Sequence, residues 1–152
     1  MSARATRPTT YKMDQAREEE ARSLVNQLEM GKRQMDTFRR QAEMIEGAIV
    51  EINSALDTIK AMGKHSPGDE ILVQVGSGSF MRAQISDAEN VLVGIGGNLT
   101  AEKKAPEALE ILDVRGKKLA ESLDKLQKTM GDLAMRMAEL NKQAESMIGP
   151  MG

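Results

Sequence analysis

The chain has 152 residues, 40% of them hydrophobic, a size that fits one domain. It has no cysteine and a single histidine, which excludes disulfide scaffolds, thiol chemistry, iron–sulfur clusters and most zinc sites. A net charge of −2 with only 2% aromatic residues argues against a nucleic-acid-binding surface. The sequence contains no run of about 18 apolar residues, the length that a membrane-spanning helix needs.

Residues 14–62 are predicted to form one long helix. From Leu24 to Ile59, the apolar residues together with Gly31 are spaced alternately four and three residues apart. This repeat is the heptad pattern of a coiled coil. Residues 1–13 carry basic side chains without apolar periodicity, so we expect them to form a flexible extension.

Residues 63–104 are predicted to contain two β-hairpins. Pro67 and Gly68 break the helix, and four short apolar runs separated by turn residues follow. The glycine-rich runs at 76–79 and 94–97 lack the lysine of a P-loop and the third glycine of a dinucleotide site, so no nucleotide site is predicted. Since isolated hairpins are marginally stable in water, we expect their apolar faces to pair with other chains.

Residues 105–148 are predicted to form a second long helix, because the same four–three spacing runs from Ala105 to Met147. Residues 149–152, which begin with Gly-Pro, form a short tail. The two helices have matching lengths and enclose the hairpins, so the fold class is mainly α with a small β part. The simplest arrangement is an antiparallel two-helix coiled coil with two β-hairpins inserted between the helices.

No catalytic site is predicted. His65 lies alone at the end of the first helix, and the carboxylates lie on helix surfaces without an apolar pocket, so we expect no enzyme, no cofactor and no metal site. Apolar residues off the heptad positions instead gather where residues 13–30 would meet residues 135–151. Many are methionines, which suit varied apolar partners, so this end of the coiled coil is a candidate contact site.

The order of these elements resembles the α-type subunit of prefoldin, over roughly residues 14–148. Residues 70–80 are similar to the first hairpin of that family, and residues 91–97 followed by 101–104 are similar to its second. Two hairpins rather than one favour the α-type subunit over the β-type.

This resemblance implies a function. Prefoldin is an ATP-independent cytoplasmic chaperone, or holdase, of archaea and eukaryotes. Two α-type and four β-type subunits assemble through their hairpins into a β-barrel platform, and this hetero-hexamer captures unfolded client proteins at its coiled-coil tips. It then passes the client to a group II chaperonin. Neither nucleic acid nor a membrane is implied as a partner.

The resemblance also suggests where the two contacts lie. Oligomerisation is assigned to apolar strand positions: Ile71, Val73, Val75, Phe80, Ile85, Val91, Val93 and Ile95. Client binding is assigned by position, near the free ends of the helices: Met13, Leu24, Val25, Leu140, Met147, Ile148 and Met151.

An alternative function stays open at this stage. The chain could be a structural or adaptor coiled-coil protein whose hairpins bind one specific folded partner. This hypothesis predicts a stoichiometric complex and no effect on unfolded proteins.

Overall fold

The computed structural model describes the backbone of residues 7–148 and the side chains of residues 12–147. The elements, in chain order, are α1 (Arg7–Met62), β1 (Glu70–Gly76), β2 (Ser79–Gln84), β3 (Asn90–Gly96), β4 (Leu99–Lys104) and α2 (Ala105–Ile148). The predicted fold class, two long helices enclosing two hairpins, is confirmed. Neither helix is both long and apolar enough, over the residues described, to cross a membrane.

The described residues divide into two compact units. Unit 1 contains the chain up to Met44 and again from Leu123, so it consists of the first part of α1 and the last part of α2. Unit 2 contains Ile45–Ser122, which includes both hairpins and the remaining helical segments.

Helix α1 begins at Arg7, ahead of the predicted start at residue 14. The heptad pattern marks where a helix is packed, whereas a helix can continue without a packing partner. Residues 12–20 are all exposed, and burial along α1 begins at Ala21. Pro8 fits the first turn, where its missing N–H has no helical acceptor. Residues 7–13, predicted to belong to the extension, are therefore helical.

The heptad positions form the packed seam of the helices. Each predicted seam residue from Leu24 to Ile59, and from Ala105 to Met147, is buried or half-buried. In unit 1, Gly31 packs against the side chain of Met137. In unit 2, Gly116 lies against Ile52. In each unit, therefore, α1 and α2 contact one another at seam positions.

The two hairpins have the same construction. β1 pairs antiparallel with β2, β3 pairs antiparallel with β4, and each pair forms a separate two-stranded sheet. The register shifts by one residue just before each turn, at Gly76 and at Gly96. Gly76 has a φ angle of 117° and Gly96 one of 114°, in a region that residues with a Cβ atom rarely adopt. Gly76 and Gly96, which belong to the two glycine-rich runs, are therefore required by the turns.

The exposed glycine of α2 in unit 1 yields a stability prediction. A methyl group added to Gly131 would meet no atom within 4 Å. Alanine costs less backbone entropy than glycine in a helix, so Gly131→Ala should raise the free energy of unfolding by about 1 kcal/mol. Urea unfolding of the full chain, followed by circular dichroism, measures the change. An unchanged or lower midpoint would contradict the exposed helical placement of Gly131.

Candidate assembly and client-binding surfaces

The hairpins carry much of the exposed apolar surface of the described chain. Of fifteen large hydrophobic side chains that are exposed within residues 12–147, eight lie in the four strands. We call this group the platform surface: Leu72, Val73, Val75, Phe80, Met81, Leu92, Ile95 and Leu99. Its members lie in 35 residues of sequence, so the exposure is concentrated rather than scattered.

The first hairpin is apolar on both faces. Val73 lies directly opposite Met81, and both side chains are exposed on one face. Phe80 pairs with Gln74, and alternation along the strand places it on the other face with Leu72, which is 67% exposed. A sheet that packs on one face and is solvated on the other would carry polar residues on its solvated face. This hairpin therefore has an uncovered apolar surface on each side.

The second hairpin is covered on one face by its own chain. Val93 is only 4% exposed, whereas Leu92, on the opposite face, is 71% exposed. Helix α2 holds this hairpin through Arg115, whose guanidinium donates a hydrogen bond to the carbonyl oxygen of Gly94. Val91 and Val93 also line a cavity with residues of both helices of unit 2.

The eight predicted oligomerisation residues therefore differ in how far their side chains are exposed in the single chain. Val93 and Ile85 are buried within the chain, and Ile71 and Val91 are half-buried. The other four are exposed and belong to the platform surface: Val73, Val75, Phe80 and Ile95.

Sequence reasoning missed four exposed members of the platform surface: Leu72, Met81, Leu92 and Leu99. A signal was present in the two runs Ile-Leu-Val at 71–73 and Val-Leu-Val at 91–93. Three consecutive apolar residues in a strand must place side chains on both faces. Such runs indicate a strand that has packing partners on each side.

The predicted client-binding residues lie in unit 1 as far as the structure describes them. Met13 and Val25 are exposed on α1. Leu24 is 5% exposed, and Leu140 and Met147 are half-buried, because all three are seam residues. Ile148 ends α2, but its side chain lies outside the described residues, as does Met151 altogether. Met30 and Met135, which are exposed in the same unit, were not assigned to client binding.

Similarity to known proteins decides the family of this chain. The family model described as "Prefoldin subunit" matches residues 31–148. The chain belongs to the prefoldin subunit family. It is 34% identical over 112 residues to the prefoldin subunit alpha of Methanothrix thermoacetophila, covering 74% of this chain and 73% of the relative. It is 31% identical over 144 residues to the prefoldin subunit alpha of Methanosarcina barkeri, covering 91% and 98% of the two chains.

A solved structure supports the fold. A chain in the cryo-EM structure of filamentous PFD from Methanocaldococcus jannaschii aligns with a TM-score of 0.61 and 24% sequence identity. The alignment covers 83% of this chain and 98% of the other. Membership of the prefoldin family gives the chain a chaperone-related role, and proteins of this family assemble with other prefoldin subunits.

The link between the two hairpins of this prefoldin chain depends on Asp87. Its Oδ2 accepts a hydrogen bond of 2.8 Å from the Asn90 side chain, and its Oδ1 accepts bonds from the backbone N–H groups of Glu89 and Asn90 at 2.8 and 3.1 Å. These bonds lower the pKa of Asp87 below its ordinary value of 3.8, with the Asn90 side chain contributing most. The signal in the sequence is an aspartate in the turn residues 86–90, which can hydrogen-bond to the following backbone.

The lowered pKa predicts how the link responds to acid. Because the folded-state pKa lies below the unfolded value, the contribution of Asp87 is fully present above pH 3.8 and is lost as the pH falls through the folded-state pKa. The NMR signals of the Asn90 side-chain amide should therefore shift with a midpoint below 3.8, and Asp87→Asn should abolish that transition. A midpoint at or above 3.8 would show that the carboxylate does not hold Asn90.

Proposed function

We propose that this chain is the α-type subunit of a hetero-hexameric prefoldin that contains two α-type and four β-type subunits. The complex holds unfolded proteins without ATP in the cytoplasm and passes them to a group II chaperonin. In this proposal residues 63–104 form the assembly platform, and the paired helices form the arm that holds the client. The observation that carries the proposal is the exposed apolar surface on both faces of the first hairpin.

The platform surface favours assembly for two reasons. Each two-stranded sheet has unpaired backbone groups along its outer strand edges, which can pair with strands of a neighbouring subunit. Leu72 and Leu92 occupy equivalent positions in the two hairpins, each on an exposed face. Closing such sheets into a barrel with other subunits would satisfy the edges and cover apolar side chains together.

The client-holding part of the proposal is supported by exposed apolar side chains in unit 1. Val25 lies off the seam, and Met13 lies before the first packed residue of α1, so packing of the two helices leaves both side chains exposed. One such surface is small and would bind weakly. Several arms carried by one assembly would act on the same unfolded chain, and the resulting effective concentration raises the avidity without any nucleotide.

Assembly is tested by Leu72→Ser together with Leu92→Ser. Both side chains are more than two-thirds exposed in the single chain, so its own fold should be retained. Burial of a leucine contributes about 1.5–3 kcal/mol, so loss of both should weaken assembly roughly 100- to 10,000-fold. Native mass spectrometry and sedimentation with a β-type subunit measure the change.

The matched control is Val50→Ser, since Val50 is an exposed apolar residue on α1 in the same unit. It should assemble as the parent does. Val93→Asp is unsuitable, because Val93 is buried and a charge there would unfold unit 2 itself. A double serine variant that assembles with unchanged affinity would refute the proposed platform.

Client holding is tested by Met13→Ser together with Val25→Ser in the assembled complex. With fewer apolar contacts per arm, the variant should need a roughly tenfold higher concentration to suppress aggregation of guanidinium-unfolded citrate synthase. Light scattering after dilution, without ATP, gives the readout. Met44→Ser is the matched control, because Met44 is a methionine of unit 1 that is at least as exposed as Met13 and was not assigned to client binding.

Two results would count against this assignment. Equal protection by the parent and the double variant would place client binding elsewhere. A parent that fails to protect unfolded protein, yet forms a one-to-one complex with a folded protein, would favour the adaptor function. Adding a group II chaperonin with ATP tests the transfer step, since the recovered enzyme activity should rise only if the held client is released to it.

A further inference from the structure

Unit 1 contains a cavity of about 240 Å³ beside Gly31. Gly31 is buried in the seam, and α1 contributes Gln27, Met30 and Gln34 to the lining. The lining residues from α2 are Leu133, Arg136, Met137 and Leu140. Met30, at the rim, is 69% exposed, so an entering side chain can reach the cavity.

The wall of this cavity beside Gly31 is the flexible side chain of Met137, which occupies the space that a side chain on Gly31 would need. A methyl group on Gly31 would lie 3.0 Å from both Cγ and Sδ of Met137. Methionine is unbranched and can change rotamer to fit a neighbouring group. By contrast, a methyl group on Gly116 in unit 2 would lie 3.4 Å from Cγ2 of Ile52, a β-branched side chain with restricted χ1.

The size and lining of the cavity indicate an apolar occupant held by an extended backbone. An apolar cavity of about 150 Å³ in another protein takes up benzene, so a larger one can hold a leucine or phenylalanine side chain. Gln27 and Gln34 stand on the same side with amide groups that can both donate and accept hydrogen bonds. One amide hydrogen of Gln27 bonds to Ser23 Oγ at 3.1 Å, which leaves its carbonyl oxygen available.

Around Met137 and Arg136 three cations stand against two acidic groups, one of which is Glu139 beside Arg136, and this excess of positive charge favours an acidic neighbour. Arg136 lines the cavity, and a second groove that Met137 also lines carries Lys32, Arg39 and Asp36. Asp36 pairs with Arg39 at 3.7 Å. Within residues 12–147, no carboxylate oxygen lies within 4 Å of a side-chain nitrogen of Lys32 or Arg136.

We propose that this groove, which we call the Gly31 groove, binds one apolar side chain of an unfolded protein segment whose adjacent residue carries a carboxylate. The inference rests on the proposed client-holding function and adds to it a defined site and a client preference. The apolar side chain enters beside Gly31 and displaces Met137. The carboxylate then lies near Arg136 or Lys32, where opposite charges attract.

The test compares two glycine-to-alanine changes in the full chain, assembled with a β-type subunit. Gly31→Ala places a methyl group where the entering side chain would have to displace Met137, whereas Gly131→Ala adds a methyl group to the same unit where no atom lies within 4 Å. The probe is a fluorescent unstructured peptide with Leu-Asp pairs in a Gly-Ser background. Gly31→Ala should weaken peptide binding about tenfold, as expected for the loss of one buried apolar side chain, and Gly131→Ala should leave it unchanged.

A second pair of variants tests the charge without altering the backbone. Arg136→Gln should reduce the preference of the complex for the Leu-Asp peptide over a Leu-Lys peptide. Arg33→Gln, an exposed arginine of unit 1 that lines neither groove, should leave that preference unchanged. Both effects should decrease as the salt concentration rises.

The outcomes separate this inference from the proposed function. If the parent protects unfolded citrate synthase but Gly31→Ala binds the peptide as the parent does, the groove proposal fails alone. Equal binding of the Leu-Asp and Leu-Lys peptides by the parent would refute the acidic preference. A change in the mass of the assembly with Gly31→Ala would show that another subunit occupies the groove. If the parent neither binds peptide nor protects citrate synthase, both proposals fail.

Discussion

A two-stranded sheet has two faces, and this chain covers only part of that surface. In the second hairpin, Val93 is buried and the hydrogen bond from Arg115 to Gly94 fixes the covered side, whereas Leu92 faces outward. In the first hairpin, Val73 and Phe80 are exposed on opposite faces. Hairpins this small are marginal without further packing, so association with other chains follows from the geometry of the strands. Membership of a family of oligomeric chaperones agrees with this requirement.

The helical seam imposes a second constraint, because a side chain used for packing is not available for binding. Leu24 and Val25 are adjacent in sequence, yet Leu24 is buried and Val25 is 51% exposed. The helical period alone separates the two. A buried seam residue such as Leu24 is therefore not available for contact, whereas a half-buried seam residue such as Leu140 keeps part of its surface open. Exposed methionines and valines off the seam can contact a client without opening the coiled coil.

Periodic features of this fold could be predicted from the sequence, whereas features that depend on a partner element could not. The end of α1 at Met62 and the start of α2 at Ala105 match the sequence prediction, because spacing and helix breakers are local signals. The start of α1 was missed, since residues 7–13 are helical although the heptad repeat does not extend over them. The covered face of the second hairpin depends on Arg115, 21 residues from Gly94. Likewise, the cavity beside Gly31 depends on the side chain of Met137 on the other helix.

Gly31 places stability and binding in opposition at one position. Alanine in a helix interior is intrinsically favoured over glycine by about 1 kcal/mol, but a methyl group on Gly31 would lie 3.0 Å from two atoms of Met137 and would require that side chain to move. Without that methyl group, the Met137 side chain packs directly beside Gly31. Glycine at this position therefore gives up intrinsic helix stability and leaves Met137 as the side chain that an entering group has to displace there. Since Met137 can move with little strain, the groove can adjust to apolar side chains of different shape, which is the property that a binder of varied unfolded sequences requires.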